Sequence, residues 1–454
     1  MTRTLNISLI LLISFIVINC SNDDKDSVTN NNINVGILDK VKTYGGSNND
    51  SAQAIKAAQD GGYIVLGYTL SNDQDITDKE GEDADFYLLK YDGLNELQWS
   101  KTYGGTGNDR GYDLIENQDG SLVILGYSTS NDGDATNNEG DKDYWVLKLS
   151  SMGVIIWQKS FGYSGEDFGT SLIKSSEGGY VLVGELDVVG SNGEGDTAKT
   201  TSNRHTGGNY WAIKITEDGM LEWSKQFGGG FSETPKDVIQ TDDGGYIIVG
   251  ESDSDDLDIT NNKGFYDFWV IKISNTGILE WQKSFGGSNI DNGFSITKAN
   301  DGNYLIVGAT KSSDIDVSAN KGVTDIWLVK ISPSGDLISE KTIGGSNFDT
   351  AEKIINTADR GYLIVGSSRS EDGDTSENQG QIDGWIIKLD NNQDIVWQIS
   401  TGGSQFDYIY DVAELSNGSI IAVGDTFSND GTIEENKGLS DILTITIKQS
   451  TESR

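Results

Sequence analysis

Short runs of hydrophobic and aromatic residues alternate with polar, glycine-rich segments along nearly the whole chain. Four consecutive runs are YDLIEN, SLVILGYS, DYWVLKLS and VIIWQKSFG. They are rich in β-branched and aromatic residues and bounded by Gly, Asn, Asp and Ser, which is typical of strands joined by turns. No stretch shows a convincing helical period. The pattern therefore predicts an all-β protein.

The runs recur with a nearly constant period. A turn, an apolar strand and a glycine, as in DGGYIVLG and DGNYLIVG, occur seven times, with spacings of 59, 58, 66, 58, 58 and 58 residues. A second marker, KTYGG or KSFGG and variants, also occurs seven times. Four strands per unit and seven units predict a seven-bladed β-propeller of four-stranded antiparallel blades. The glycines that close the first marker are Gly67, Gly126, Gly184, Gly250, Gly308, Gly366 and Gly424.

The two ends of the repeat array complement each other. The last repeat stops after its third strand, DILTITIK (441–448), and an orphan strand, VGILDKVKTYGG (35–46), precedes the first marker. That orphan matches the fourth strand of the other repeats, so we expect it to complete blade seven and remove an exposed sheet edge. The predicted propeller spans 36–448, with a tail at 449–454. Its repeats are 47–105, 106–163, 164–229, 230–287, 288–345, 346–403, and 404–448 together with 36–46.

All ten tryptophans fall on the predicted third and fourth strands. An aromatic residue at the same place in nearly every blade is expected to pack between blades. Stacking against sugars is the alternative. The tryptophans are Trp145, Trp211, Trp269, Trp327 and Trp385 on third strands, and Trp99, Trp157, Trp223, Trp281 and Trp397 on fourth strands.

The repeat DGGYIVLGYT…SNDGD…DYWVLKL…IIWQKSFGG resembles the propeller repeats of bacterial surface and secreted proteins, which are loosely related to the SBBP-type repeat. The resemblance covers nearly all of 36–448 and implies the propeller fold. Such propellers serve as binding platforms, enzymes and structural modules, so the resemblance leaves the function open. The family carries no catalytic motif that can be placed on this chain.

The chain begins MTRTLNISLILLISFIVINC, a positive start followed by an apolar stretch too short for a comfortable transmembrane helix. Val17-Ile18-Asn19-Cys20 resembles a bacterial lipobox and contains the only cysteine. We therefore expect a signal peptide at 1–19 and lipidation, including palmitate, at Cys20. The alternative is an ordinary signal peptide with an incidental cysteine.

Residues 20–35 contain SNDDKDSVTNNNIN and are expected to form a flexible tether. Acids directly after the lipidated cysteine resemble the export signal of surface-displayed lipoproteins in some Gram-negative bacteria. This favours a lipid-anchored protein on the outer face of the outer membrane.

The chain is strongly acidic, with 71 Asp and Glu against 33 Lys and Arg and a formal net charge of −38. Such a surface repels nucleic acid and anionic lipid, so neither is expected as a partner. Cations and basic partners are the natural counterparts, and solubility is the simpler explanation.

Oxygen-bearing side chains alternate in the long loop between the second and third strands, as in SNDGDATNNEGDKDYW (130–145). Asp132, Asp134, Thr136, Asn138 and Asp143 follow the ligand rhythm of an EF-hand-like loop, which predicts Ca²⁺ as a possible cofactor. The glycine such a loop requires at its sixth position is absent. The alternative is a polar turn in which these side chains satisfy backbone N–H groups. The equivalent acids of the other blades are Asp73, Asp75, Asp256, Asp258, Asp314, Asp316, Asp372 and Asp374.

An acid also recurs in the connection from each fourth strand to the next first strand. If the first strands line a central channel, these acids ring its mouth, on the same face as the long loops. They are Asp50, Asp109, Asp167, Glu233, Asp291, Asp349 and Asp407.

Blade three breaks the pattern. Its long loop, ELDVVGSNGEGDTAKTTSNRHTGGNYW, carries eight extra residues and the only histidine, His205, beside Arg204. This pair could bind a carboxylate or sulfate, or His205 could act as a base in a polysaccharide lyase. A tolerated surface insertion is the alternative. HExxH, GxSxG, P-loop and CxxC motifs are all absent.

These observations predict a surface-anchored lipoprotein, a monomeric propeller that acts as a non-catalytic binding platform for an extracellular glycan or protein, with calcium as a possible aid. The alternative is a carbohydrate-active hydrolase or lyase whose site lies at the channel mouth or in the blade-three loop. A purely structural surface or adhesion module is the third hypothesis.

Overall fold

The computed structural model describes residues 32–192, 195, 207–375 and 377–453. In chain order its strands are β1 (Asn32–Tyr44), β2 (Asp50–Ala57), β3 (Tyr63–Thr69), β4 (Asp85–Tyr91), β5 (Leu97–Tyr103), β6 (Asp109–Glu116), β7 (Leu122–Ser128), β8 (Asp143–Leu149), β9 (Ile155–Phe161), β10 (Phe168–Lys174), β11 (Tyr180–Asp187), β12 (Gly208–Ile215), β13 (Leu221–Phe227), β14 (Glu233–Gln240), β15 (Tyr246–Ser252), β16 (Asp267–Ile273), β17 (Leu279–Phe285), β18 (Asp291–Lys298), β19 (Tyr304–Thr310), β20 (Asp325–Ile331), β21 (Leu337–Ile343), β22 (Asp349–Asn356), β23 (Tyr362–Ser368), β24 (Asp383–Leu389), β25 (Ile395–Thr401), β26 (Asp407–Glu414), β27 (Ile420–Thr426) and β28 (Asp441–Ser453).

These strands form seven four-stranded antiparallel sheets, and in six of them the strands pair in sequence order. The first strands contact one another in a closed cycle, β2-β6-β10-β14-β18-β22-β26 and back to β2. The predicted seven-bladed β-propeller is therefore confirmed. No helix among the described residues is long and apolar enough to span a membrane.

The N-terminal strand closes the ring, as predicted. The seventh sheet has the order β1-β28-β27-β26, and β1 pairs with β28 from Asn32↔Ser453 to Tyr44↔Ile442. Both strands run past the bounds expected from the sequence, residues 36 and 448. Each supplies hydrogen-bond partners for the other's extension, which lets the polar residues at both ends join the sheet.

The hydrophobic core lies mainly between adjacent blades. Trp145 of blade two is fully buried and packs edge-on against Phe86 of blade one, with ring centroids 4.7 Å apart. Trp327 makes the same contact with Phe268 of the preceding blade, also at 4.7 Å. This confirms the predicted packing of third-strand tryptophans between blades.

Every first strand contains an irregularity in its pairing with the second strand. The register shifts by one residue in all seven blades, for example between Gly111 and Asp113. One residue per blade is thereby left without a partner on the second strand, and the regular alternation of side chains between the two faces of the sheet is interrupted there, as in a β-bulge. We call these residues the bulge ring: Gln53, Tyr112, Thr170, Lys236, Phe294, Glu352 and Tyr410.

The antiparallel order places the connections on two opposite faces. The long second-to-third-strand loops and the fourth-to-first-strand connections share one face, here the loop face. The short hairpin turns lie on the other, here the turn face. In one such turn Gly302 adopts a φ of 85°, a backbone conformation that favours glycine. Because β1 is a fourth strand, it begins at the turn face and ends at the loop face.

Candidate functional site

The seven acids expected at the channel mouth lie beneath the loops instead. All are fully buried, so none presents a carboxylate to solvent at the mouth. Asp349 shows the shared arrangement: it accepts hydrogen bonds from Gly345 N (2.7 Å) and Ser370 Oγ (2.8 Å). It thereby ties the connection before its own strand to the long loop of the same blade. The set comprises Asp50, Asp109, Asp167, Glu233, Asp291, Asp349 and Asp407.

In most of the SNDGD-type loops the first acid caps the same connection from the solvent side. Asp132 accepts hydrogen bonds from Thr106 N (2.8 Å) and Thr106 Oγ1 (2.9 Å). Asp73, Asp314 and Asp372 accept equivalent bonds from Ser47 N, Ser288 N and Ser346 N at 2.7–2.8 Å.

The second acid joins neighbouring blades. Asp374 Oδ2 accepts from Gly344 N (3.0 Å) and forms an ion pair with Lys321 of the preceding blade. Asp316 and Asp75 pair in the same way with Lys263 and Lys437. Asp258 also accepts from a glycine, Gly228 N, at 3.2 Å.

The remaining predicted calcium ligands point in different directions. Asn138 Nδ2 donates to Ser128 O (2.9 Å), its Oδ1 accepts from Gly140 N (3.0 Å), and Asp143 Oδ2 accepts from Glu139 N (2.7 Å). Thr136 bonds to Asn137 and Gln158. Among the described residues, no three His, Cys, Asp or Glu side chains are grouped to hold a metal ion. This geometry favours the polar-turn alternative, and calcium binding stays a prediction.

A second buried acid stands at the start of most third strands and faces the first-strand acid of the next blade. Burial raises the pKa of Asp383 to about 6, and the charge of Asp407 adds to the shift. In the pair formed by Asp325 and Asp349, a Cβ placed on Gly344 would lie 2.5 Å and 2.7 Å from their carboxylate oxygens. The first glycine of the KTYGG marker therefore leaves space for two close carboxylates. The third-strand acids are Asp85, Asp143, Asp267, Asp325, Asp383 and Asp441, with Asn209 in blade three.

We use the name loop frame for three sets of acids together: the first-strand acids, the third-strand acids, and the first and second acids of the SNDGD-type loops. Its hydrogen bonds come from backbone amides, serines, threonines and lysines of the protein itself, while the Oδ1 atom of each third-strand acid is buried without a hydrogen-bond partner. The loop frame therefore holds blades and loops in place.

Three predicted site residues fall elsewhere. Cys20, Arg204 and His205 lie outside the described residues. Lipidation and ligand binding at these positions stay predictions.

The central channel contains a cavity of about 310 Å³. It is bounded mainly by the bulge ring and by the residues that follow it, which we call the inner ring. The inner ring consists of Ala54, Asp113, Ser171, Asp237, Ser295, Lys353 and Asp411.

Hydrogen bonds run around the inner ring from blade to blade. Ser171 Oγ donates to Asp113 (3.1 Å) and Asp237 (3.2 Å), and Ser295 Oγ donates to Asp237 (2.7 Å). Lys353 forms an ion pair with Asp237 at 3.1 Å, across two blades. Burial opposes the charge on Lys353, but attraction to Asp237, Asp411 and Asp113 prevails and raises the pKa of the lysine. The inner ring is therefore largely satisfied by its own members.

The part of the channel nearer the loop face contains more carboxylates than cations. In each blade, the residue that follows the first-strand acid pairs with one residue of the second strand. We call these second-strand residues the loop-end ring, and Glu185, Glu251 and Asp425 belong to it. Burial raises the pKa values of Glu185 and Glu251, and the charge of Lys236 counteracts the shift in both. The same enclosure raises the pKa of Glu352 in the bulge ring to about 7.

The opposite side of this region combines aromatic rings with charge. The Arg110 guanidinium lies 4.3 Å from the centre of the Tyr68 ring. Burial raises the pKa of Asp425 to about 7, opposed by hydrogen bonds from Tyr410 and Ser51. The channel therefore holds carboxylates, cations and aromatic surfaces, which suits recognition of a polar or charged ligand.

The sequence reasoning missed this region because it searched for residues that recur. Across the bulge ring the residues are amide, aromatic, hydroxyl, basic and acidic in different blades, whereas the loop frame repeats. Divergence at a fixed repeat position was the available signal.

No protein-family model matches the chain. A curated relative, the regulatory protein FlaEY of Caulobacter vibrioides, is 22% identical in an alignment 363 residues long that covers 72% of this chain. The alignment covers 36% of the relative, so the chain spans about a third of that protein's length.

Among solved structures, the WD40 β-propeller domain of Doa1 matches with a TM-score of 0.50 and 11% identity, covering 90% of this chain and 95% of that one. The Pan2 WD40 domain of Neurospora crassa matches with a TM-score of 0.47 and 9% identity, covering 87% and 88%. The match to the Doa1 domain agrees with the propeller fold and at 11% identity shows the fold alone. The SBBP-type resemblance stays a prediction.

Proposed function

We propose that this protein is a surface-anchored lipoprotein whose propeller binds an extracellular protein or glycan, without catalysis, through the loop-face end of its channel. The observation that carries the proposal is the contrast between a repeated loop frame and a channel lining that differs from blade to blade. Side chains that serve only the fold have reason to repeat, whereas a ligand site requires particular residues at particular places. The propeller fold itself is compatible with a non-catalytic binding role, and propellers commonly bind proteins.

The position of β1 supports outward display of this site. The strand begins at the turn face, and only residues 21–31 separate it from Cys20. A segment of this length reaches at most about 40 Å. A lipid anchor at Cys20 would therefore hold the turn face nearer the membrane and leave the loop face directed away from it.

Two measurements test the proposal. Fractionation of cells that produce the Cys20→Ser variant should find the protein released from the membrane, and protease added to intact cells should digest the wild-type protein. Retention of the variant in the membrane would refute the lipid anchor. Protection from protease in intact cells, with digestion after lysis, would refute surface display.

Binding is tested with glycan and peptide arrays probed with the Cys20→Ser chain. We expect saturable binding to one class of probe that is weakened by Glu352→Gln and unchanged by Asp141→Asn, an exposed loop variant used as the control. Binding that both variants retain equally would place the site outside the channel.

The raised pKa of Glu352 favours the hydrolase as a second candidate function. A carboxyl with a pKa of about 7, such as Glu352, is protonated often enough near neutral pH to act as a general acid, and other carboxylates lie nearby. Release of reducing ends from a polysaccharide, abolished in Glu352→Gln, would replace the binding role with an enzymatic one.

A further inference from the structure

The loop-face end of the channel contains buried polar atoms with no hydrogen-bond partner. They are Glu251 Oε2, Asp425 Oδ1, Asn292 Oδ1 and Arg110 Nε. Asp425 is only 7% exposed. Three of the four atoms are acceptors, and two of these belong to carboxylates. Buried polar groups in folded proteins are nearly always paired. The loop frame also contains unpaired Oδ1 atoms, but each of those on a third-strand acid lies beside a first-strand acid of the protein itself. Glu251 and Asp425 lie instead beside the cavity-lining residues Glu352 and Tyr410, where a ligand that donates hydrogen bonds could reach them.

The charge of the region is also unbalanced. Glu185, Glu251 and Glu352 share Lys236 as the nearby cation that opposes their pKa shifts. On the other side, Asp425 and Arg110 flank Tyr68. When all four carboxyls are ionised they exceed the two cations by two charges, and a bound cation itself favours the ionised forms, within a protein whose net charge is −38. The field at the channel mouth therefore attracts cations and opposes anions.

Aromatic rings complete the region. The channel already places its own cations over rings, Arg110 over Tyr68 at 4.3 Å and Lys236 over Phe294 at 5.9 Å. Tyr410 and Phe168 also line the cavity. Carboxylates beside aromatic faces are the usual environment for ammonium and guanidinium groups, because both the charge and the ring quadrupole favour a cation.

We propose that the loop-face end of the channel binds an organic cation, a ligand or side chain that presents ammonium or guanidinium groups to Glu251, Glu352 and Asp425. The inner ring, already paired through Lys353, lies deeper and supports the site from below. This inference rests on the binding role proposed above and gives that role a ligand class. It does not depend on the lipid anchor.

Calorimetry on the full chain carrying Cys20→Ser tests the inference with three probes. Spermidine represents a free amine, an acetylated tri-arginine amide represents basic side chains of a protein partner, and cellohexaose represents a neutral glycan. We expect saturable binding of spermidine, the arginine peptide or both, and at least a ten-fold loss in Glu251→Gln/Asp425→Asn. The control Glu82→Gln/Asp141→Asn removes the same charge from exposed loops and should retain the wild-type affinity within two-fold.

Each outcome decides the matter. Binding of spermidine alone identifies a free amine as the ligand, and binding of the peptide alone identifies a side chain of a partner protein. Equal affinity in the channel and control variants would refute the site, since the attraction would then be that of a polyanion. Binding of cellohexaose alone, lost in the channel variant, would assign the channel to glycans and refute the cation, while leaving the binding role intact.

Absence of binding by all three probes would also refute the inference, and the array experiment would still test the binding role separately. Both channel substitutions neutralise buried acids without changing their shape, so we expect the variant to fold. Its melting temperature checks this, and the single variants Glu251→Gln and Asp425→Asn serve if the double variant melts early.

Discussion

The loop frame and the channel are built from the same seven repeats, but they use repetition in opposite ways. In the loop frame, an acid stands at the place of Asp349 in every blade, and in all blades except the third it accepts from a backbone amide and a serine hydroxyl. In the channel, the bulge ring places Lys236, Glu352 and Tyr410 at equivalent positions. Recurrence therefore indicates structure in this protein, and divergence indicates the candidate site.

The largest effect should come from the contacts between blades. Trp327→Ala removes a fully buried ring that packs on Phe268 and donates from Nε1 to Glu340 (2.9 Å). We expect a loss of about 3–5 kcal/mol in the free energy of unfolding, measured by denaturant titration. Trp99→Ala, on a half-buried fourth-strand tryptophan, should cost clearly less. Equal losses would mean that the third-strand positions are not special to blade packing.

Replacing a buried acid of the loop frame should lower the stability less than replacing a core tryptophan, but far more than replacing an exposed acid. Asp349→Ala leaves the buried Gly345 N and the Ser370 hydroxyl without their acceptor. We expect a cost of about 2–4 kcal/mol in thermal unfolding, because unpaired buried donors carry a desolvation penalty. Asp372→Ala, which removes a solvent-side bond to Ser346 N, should cost about 1 kcal/mol or less. A larger loss for Asp372→Ala than for Asp349→Ala would show that the buried acids do not hold the loops in place.

The paired buried acids predict an unusual dependence on pH. Burial raises the pKa of Asp383 from its ordinary value of about 4 to about 6, so the folded state holds this proton more tightly than the unfolded chain. The group therefore costs little at pH 4, and its penalty grows as the pH rises and is complete above about 6.

Asp383→Asn should raise stability at pH 8 by on the order of 1–3 kcal/mol and have little effect at pH 4. Blade three already carries this change, as Asn209. Melting curves at the two pH values decide the matter, with Asp141→Asn as the exposed control. A gain that is equal at both pH values would show that the ionisation of Asp383 is not its cause.

The smallest expected effect concerns calcium. Asp132 and Asp374 already accept from backbone amides, and no three ligand side chains are grouped among the described residues. We therefore expect the melting temperature to be the same in EDTA and in millimolar Ca²⁺ at matched ionic strength. A rise specific to Ca²⁺, and absent with Mg²⁺, would instead make the SNDGD-type loops metal sites.

The sequence was sufficient for the blade count, the strand order and the ring closure, because period, turn residues and strand composition all specify the same fold. It also located Trp145 and Trp327 between blades. It placed Asp349 and its counterparts on the correct face but at the wrong depth, since a recurring carboxylate looks the same whether it faces water or its own loop backbone.

The channel residues were not predictable in the same way. A bulge shifts the alternation of each first strand by one residue, so the face on which Glu352 or Lys236 lies cannot be counted from the strand ends. No local sequence pattern shows that Glu251 Oε2 and Asp425 Oδ1 are buried without a hydrogen-bond partner, because their burial depends on how the blades pack. The blade-three loop with Arg204 and His205 is left as a prediction.

The closing strand sets the order in which this protein can be completed during synthesis. Lys448 bonds to Asp39, a partner 409 residues earlier in the chain, so β1 is made first and must wait for β28. During that interval β1 has no sheet to join, and the innermost strand of blade one, β2, has no neighbouring blade seven against which to pack. Such exposed edges and apolar surfaces are prone to pair with the wrong partner. The last strand to emerge therefore converts an open, aggregation-prone arc into a closed ring in one late step.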